Sequence, residues 1–321
     1  MRFRTLTPAL LLAASAFTPA MGATLTASAF DHAVAAGQTT FDLSLDGTTH
    51  HIGRLDRVDI EIEGPDGAAG AMFTAHADGR PATIVRLGQD IDLTFDDETT
   101  ARDPGAAVSG MARRMPAHAA NDVLPGAENG DDAARDDGRP GEGLNVYVFL
   151  HENARERDHA KFLNWYLTWW FSEMKRHIVP GKHVRVFLKD AVPGLTDMKM
   201  NDGTMNDHLN WVRLRAVDHL RNREGDLPGM SRFILVVGPV PSNWLSGALG
   251  AAFGRAAIVS NTANRHVVAH ELGHTLGATH ADSKMFPCAS SMADNYFGIL
   301  SCRAYTEKNR QNIRNYLKDR L

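Results

Sequence analysis

Three stretches in the first third of the chain alternate apolar and polar residues with a period of two. They are Phe41-Asp42-Leu43-Ser44-Leu45, Val58-Asp59-Ile60-Glu61-Ile62 and Ile91-Asp92-Leu93-Thr94-Phe95. That period sends successive side chains to opposite faces of a strand. Asp-Gly and Pro-Asp-Gly turns separate the stretches, so residues from about 24 to 100 predict a small antiparallel β unit. From residue 144 the pattern changes. Unbroken apolar runs at Leu144–Leu150, Val184–Leu188 and Phe233–Val237 predict strands covered on both faces. His159–Lys175 and Met205–Arg221 have the longer period of helices, and Tyr305–Leu321 predicts a terminal helix. In the first of these helices Phe162, Trp165, Tyr166, Trp169 and Trp170 form an aromatic stripe, the spacing of a packed core face. Alternation of strand and helix over 144–321 predicts an α/β (α+β) domain with a mixed twisted sheet.

Between the two patterned regions, residues 101–143 are dominated by Asp, Glu, Gly, Pro, Ala and Arg. A segment of that composition cannot bury a core and predicts a flexible linker. Arg113-Arg114 within it is a candidate processing site. Residues 1–22 have the layout of a secretory signal: Arg2 and Arg4, an apolar run from Leu6 to Phe17, then small residues around Ala20-Met21-Gly22. The run is too short to span a bilayer as a mature helix. The expected organisation is therefore a signal peptide (1–22), a β-rich region (23–100), a linker (101–143) and a main domain (144–321). The β-rich region is expected as a propeptide, with a retained accessory domain as the alternative.

Composition narrows the field. With 34 basic and 38 acidic residues the net charge is −4, so no basic field points to nucleic acid. The chain is 321 residues long and 43% hydrophobic, enough for one large or two medium cores. A secreted protein with two cysteines, Cys288 and Cys302, invites a disulfide, the alternative being two free buried thiols. In the chain-entropy view a loop of that size stabilises by about 3 kcal/mol.

The strongest chemical signal is His270-Glu271-Leu272-Gly273-His274-Thr275-Leu276-Gly277-Ala278-Thr279-His280. His270 and His274 are four residues apart, so a helix projects both imidazoles from one face, where they can share one zinc ion. Glu271 borders that ion and can exchange a proton with a metal-bound water. Gly277 can take positive φ and end the helix, which lets His280 return as third ligand. Three protein ligands leave a position for water or substrate, the pattern of a catalytic rather than a structural zinc. Among the other histidines, His50, His51, His151, His177, His208 and His219 show no ligand spacing with one another. His266 shares the helical face of His270 but stands outside the pattern.

This extended motif resembles the metzincin zinc metalloproteases over roughly residues 144–321. The resemblance implies zinc on His270, His274 and His280, with Glu271 as general base. It implies a methionine-bearing turn beneath the ligands, with Met292 preferred to Met285. It also implies a substrate-pairing edge strand within Gly247–Ser260; read from the residues alone, that segment could equally be a glycine-rich loop. Cys288 and Leu300-Ser301-Cys302 are similar to the adamalysin (reprolysin-like) branch, although Ala281 stands where that branch has Asp, and Asp282 follows. The propeptide region contains no cysteine, which excludes a cysteine-based latency switch. The expected function is a secreted (extracellular or periplasmic), monomeric zinc metalloendopeptidase acting on protein or peptide substrates. No nucleic-acid partner is expected, and no membrane association after signal removal. A silent zinc-binding scaffold and a zinc amidase acting on cell-wall material are the alternatives.

Overall fold

The computed structural model describes residues 27–96, 143–224, 230–239, 249–262, 265–293 and 302–321. The expected signal peptide, Arg113-Arg114 and nearly all of the expected linker lie outside the described residues.

The chain opens with helix α1 (Ala27–Ala35) and five strands: β1 (Phe41–Leu45), β2 (Thr48–Glu63), β3 (Ala69–Ala77), β4 (Arg80–Leu87) and β5 (Asp90–Phe95). After the linker come β6 (Leu144–Leu150), α2 (His159–Tyr166), α3 (Thr168–Glu173), β7 (Val184–Lys189), α4 (Met205–Glu224) and β8 (Met230–Val237). The hairpin β9 (Gly250–Phe253) and β10 (Ala256–Ser260) follows, then α5 (Val267–Thr275) and α6 (Glu307–Leu317). The ten strands form one mixed sheet in the order β5-β4-β3-β2-β7-β6-β8-β10-β9, with β1 also on β2. Neighbours are antiparallel within β1–β5, parallel from β2 through β7, β6 and β8 to β10, and antiparallel again at β9.

Alternation along the strands sorts side chains onto two faces. In β6, Leu144, Val146, Val148 and Leu150 join the core under α2, α3, α5 and α6, while Tyr147 and Phe149 join the core under α4. Both faces are covered, which is why these strands read as unbroken apolar runs. The N-terminal strands divide in the same way. Ala82 and Ile84 of β4 face α1 with Phe30, whereas Val85 and Leu87 face α2 and the main core.

The β-rich region is therefore joined to the main sheet. Glu61–Glu63 at the end of β2 pair in parallel with Arg185–Phe187 of β7. Asn164 of α2 reaches across the seam. Its Oδ1 accepts from Thr83 Oγ1 at 2.6 Å, and its Nδ2 lies 2.7 Å from Asp92 Oδ2 and 3.1 Å from the Thr83 carbonyl. Lys189–Glu63 (3.0 Å) and Lys175–Asp59 (2.8 Å) bridge the same seam.

Three elements differ from the sequence reading. The helix expected over His159–Lys175 breaks at Leu167 (φ −121°) into α2 and α3, and α3 runs into a single wide turn at Met174–Ile178. Thr168 explains the break: its hydroxyl donates to the Asn164 carbonyl at 2.7 Å and so competes with the helix's own bond. The β-rich region begins with a helix, α1. Gly247–Ser260 holds a two-strand hairpin turning at Gly254 (φ +57°), rather than a single strand or a loop.

Candidate metal centre

Helix α5 packs against β9, β10 and β8 at one end of the sheet. His266 occupies the N-cap position and makes no side-chain cap. His266 is buried edge-on against Trp169 and is pushed down to about 3, by burial first and the positive charges of Arg265 and Arg303 next. It is a neutral packing residue and is not among the gathered ligands.

The candidate ligands are His270, His274 and His280, which the structure brings to one point. The Nε2 atoms of His270 and His280 are 2.8 Å apart, those of His274 and His280 2.9 Å, and those of His270 and His274 3.2 Å. Two of the rings have their tautomer fixed. His270 Nδ1 lies 2.9 Å from the Ser291 carbonyl, and His274 Nδ1 lies 3.2 Å from the Ala278 carbonyl. A carbonyl only accepts, so each Nδ1 carries the hydrogen and each Nε2 presents a lone pair. Nitrogen lone pairs converging at about 3 Å repel unless a proton or a cation lies between them. The spacing is close to the edge of a tetrahedron with metal–nitrogen bonds of about 2.0–2.1 Å. Burial pushes His274 down to about 3, with His280 beside it adding to the effect and the Ala278 carbonyl opposing it. The ring is therefore neutral at neutral pH, the form that binds metal.

The surroundings show what builds this cluster. Gly277 ends α5 at φ +87°, and the Ala278 N–H returns to the Gly273 carbonyl at 2.9 Å. Gly273 leaves room for two neighbours. A Cβ there would lie 2.6 Å from Met292 Sδ and 3.0 Å from Tyr305 Cε1. Of the two candidate methionines it is thus Met292, fully buried, that packs beneath α5. Its turn also supplies the Ser291 carbonyl to His270. The disulfide Cys288–Cys302 brackets this turn in the chain. Tyr305 accepts from Trp170 Nε1 at 2.9 Å and donates to the Ala269 carbonyl at 2.6 Å, one residue before His270. Burial holds its hydroxyl far above the ordinary range, so it stays a donor.

Glu271, the residue after His270, is buried at 3% exposure. Gly250 at the start of β9 lies against it: a Cβ on Gly250 would fall 2.8 Å from both Glu271 Cγ and Oε1. Gly250, Tyr305 and the Ser291 carbonyl carry no sequence motif, and the sequence reading did not single them out. The one available hint was the small-residue composition of the segment before the histidines.

By sequence the chain matches no known family, and it matches no curated protein. Among solved structures it is similar to the crystal structure of metalloproteinase-II from Bacteroides fragilis, with a TM-score of 0.49 and 15% identity over 89% of this chain and 95% of that one. So loose a likeness adds no weight to any role for these residues. Among the described residues no helix is long and apolar enough to cross a membrane.

Proposed function

We propose that the chain is a secreted zinc-dependent metalloendopeptidase. The observation that carries this reading is the convergence of three imidazole Nε2 atoms within 3.2 Å of one another, with the buried Glu271 following the first of them in the chain. Three nitrogen donors at tetrahedral spacing suit zinc and leave a position open for reaction. When bound, the ion would supply a Lewis acid for a scissile carbonyl and a water of lowered pKa.

The chain's own residues would do the rest. Glu271 takes a proton from the attacking water and later passes it to the leaving amine. Gly250 leaves the space in which that carboxylate sits. β9 is the last strand of the described sheet, and its residues are Gly250-Ala251-Ala252-Phe253. An extended peptide can add to such an edge through main-chain hydrogen bonds, its side chains free to vary. Secretion is supported by the disulfide, which belongs to oxidising compartments, and by the charged-then-apolar start of the sequence. Membership of the adamalysin-like branch rests on the cysteine positions in the sequence alone.

The test is cleavage of a denatured general protein by the purified chain, with and without a zinc chelator, beside Glu271→Ala. The expected result is chelator-sensitive cleavage that falls by about 10²–10⁴ or more in the variant, which keeps its zinc. Normal cleavage by Glu271→Ala would remove the assigned role. A zinc-loaded, folded wild-type chain with no activity on peptides would favour the scaffold.

A further inference from the structure

His270 and His274 share a helix, and helical geometry alone sets their spacing. His280 has no such support. It comes after the Gly277 turn and the extended residue Thr279 (φ −131°, ψ 152°), and it starts a single three-residue turn, His280–Asp282. Beyond a few bonds within the loop, its contacts come from another helix.

Helix α6 lies along this loop. Asn309, fully buried on α6, holds both main-chain polar groups of Thr279, the residue before His280. Its Oδ1 accepts from the Thr279 N–H at 2.8 Å, and its Nδ2 donates to the Thr279 carbonyl at 3.0 Å. Only a carboxamide presents a donor and an acceptor side by side in this way. The same helix grips the far side of His280. Asn312 Nδ2 donates to Asp282 Oδ2 at 2.7 Å, Thr306 Oγ1 donates to the Asp282 carbonyl at 2.6 Å, and Lys308 pairs with the Asp282 carboxylate. Tyr316 lies against Gly277 at the start of the loop. The helix is itself a fixed platform. Ile313 and Leu317 are in the main core, and Arg310 forms a partly buried pair with Glu173 of α3 at 2.7 Å.

We propose that Asn309 is a positioning residue for the metal. It sets where His280 Nε2 sits relative to the His270–His274 pair, so the terminal helix governs how tightly the site holds its ion. The inference rests on the metal-centre reading above and deepens it. Removing Asn309 takes one bond from each main-chain polar group of Thr279, leaving its carbonyl only the 3.3 Å bond from the Asp282 N–H, and lets the third ligand wander, while α5 keeps the other two in place. Partners that orient metal ligands typically change affinity by about 10–100-fold when removed.

The experiment measures zinc affinity of the full chain by competition with a chromophoric chelator, together with the visible spectrum of the cobalt-substituted protein. Four variants are compared with wild type: Asn309→Ala, Asn312→Ala, Ile313→Ala and His280→Ala. Asn309→Ala is expected to lose about 10–100-fold in zinc affinity and to shift the cobalt bands. Asn312→Ala is expected to lose less. Ile313→Ala removes core packing from the same helix without touching the loop, so it should lower the melting temperature and keep wild-type affinity. Wild-type affinity and spectrum in Asn309→Ala would overturn the proposal, as would an equal loss in Ile313→Ala. Should Asn309→Ala fail to fold, Asn312→Ala carries the test, and unchanged affinity there overturns it. His280→Ala separates the two levels: if it binds zinc as wild type does, the three-histidine reading itself has failed, whereas weak binding there with an unaffected Asn309→Ala removes only the positioning role.

Discussion

The two ends of the single sheet are built on different plans. At the N-terminal end, β1 to β5 are antiparallel, and β2 alternates exposed and buried positions along much of its length. That end is fastened to its neighbour by polar contacts: Asn164 with Thr83 and Asp92, Lys189 with Glu63, Lys175 with Asp59. At the other end, β8 and β10 are buried at every position, and the edge strand β9 has glycine where Glu271 needs space. Five strand steps separate β2 from β9, about 24 Å along the sheet. The lesson is that one continuous sheet serves two purposes. The covered end gives a low-dielectric, sterically exacting frame for a cluster of lone pairs. The polar end closes the β7 edge and caps the core beside α2. Substitutions should therefore act on chemistry at one end and on stability at the other.

The largest expected effect is at Gly250. Gly250→Val puts new atoms where the Glu271 carboxylate lies, and a displacement of about 1 Å in a catalytic group can cost about 10²-fold in rate. The predicted result is a fall in kcat of that order with zinc content unchanged, read by steady-state kinetics and metal analysis. Unchanged kcat would break the contrast at the metal end.

Next is Asn164→Ala at the seam. It strands the Thr83 hydroxyl and leaves the Asp92 carboxylate with its bond from Thr94 alone, at a cost of about 3 kcal/mol. Denaturant unfolding should show the loss, while kcat/KM per folded molecule stays at the wild-type value. A matching loss of activity would mean that the seam acts on the site.

A smaller effect is expected from Asp92→Asn, which keeps an acceptor for Asn164. Burial raises the Asp92 carboxyl above its ordinary value, against the opposing bonds from Asn164 and Thr94. A raised acid is most stabilising when protonated. Its contribution is complete below the ordinary carboxylate pKa and is lost as pH rises through the raised value. Asp92→Asn should thus raise the melting temperature at neutral pH and lose that advantage on acidification. A pH-independent difference would contradict the assignment.

The smallest effect is expected from cutting the chain between residues 97 and 142. β2 pairs with β7, and Val85 and Leu87 sit in the main core, so the two parts should stay together on gel filtration under native conditions. A layer that departs once cut would instead mark residues 23–100 as a released propeptide.

The sequence made the histidine cluster legible because its parts are local. His270, Glu271 and His274 share two turns of helix, and Gly277 announces the turn that returns His280. What surrounds them was not legible. Gly250 lies about twenty residues earlier and Asn309 about thirty later, each with an ordinary role available to it. Only the folded backbone shows that one shares space with Glu271 and the other holds Thr279. The fold behaved alike. Unbroken apolar runs gave the buried parallel strands. The joining of β2 to β7 was hidden, because Glu61-Ile62-Glu63 alternates as an edge strand would, and nothing in the pattern names a partner. The break at Leu167 depends on one hydroxyl–carbonyl bond from Thr168, a contest between local bonds that periodicity does not register.

The central claim is that His270, His274 and His280 together hold one zinc ion with a position left open. X-ray absorption at the zinc edge on the metal-loaded chain tests it directly. The account predicts one ion per chain, three imidazole nitrogens at about 2.0–2.1 Å and one further oxygen from solvent. A sulfur scatterer, fewer than three imidazoles, or the same spectrum from His280→Ala would contradict it.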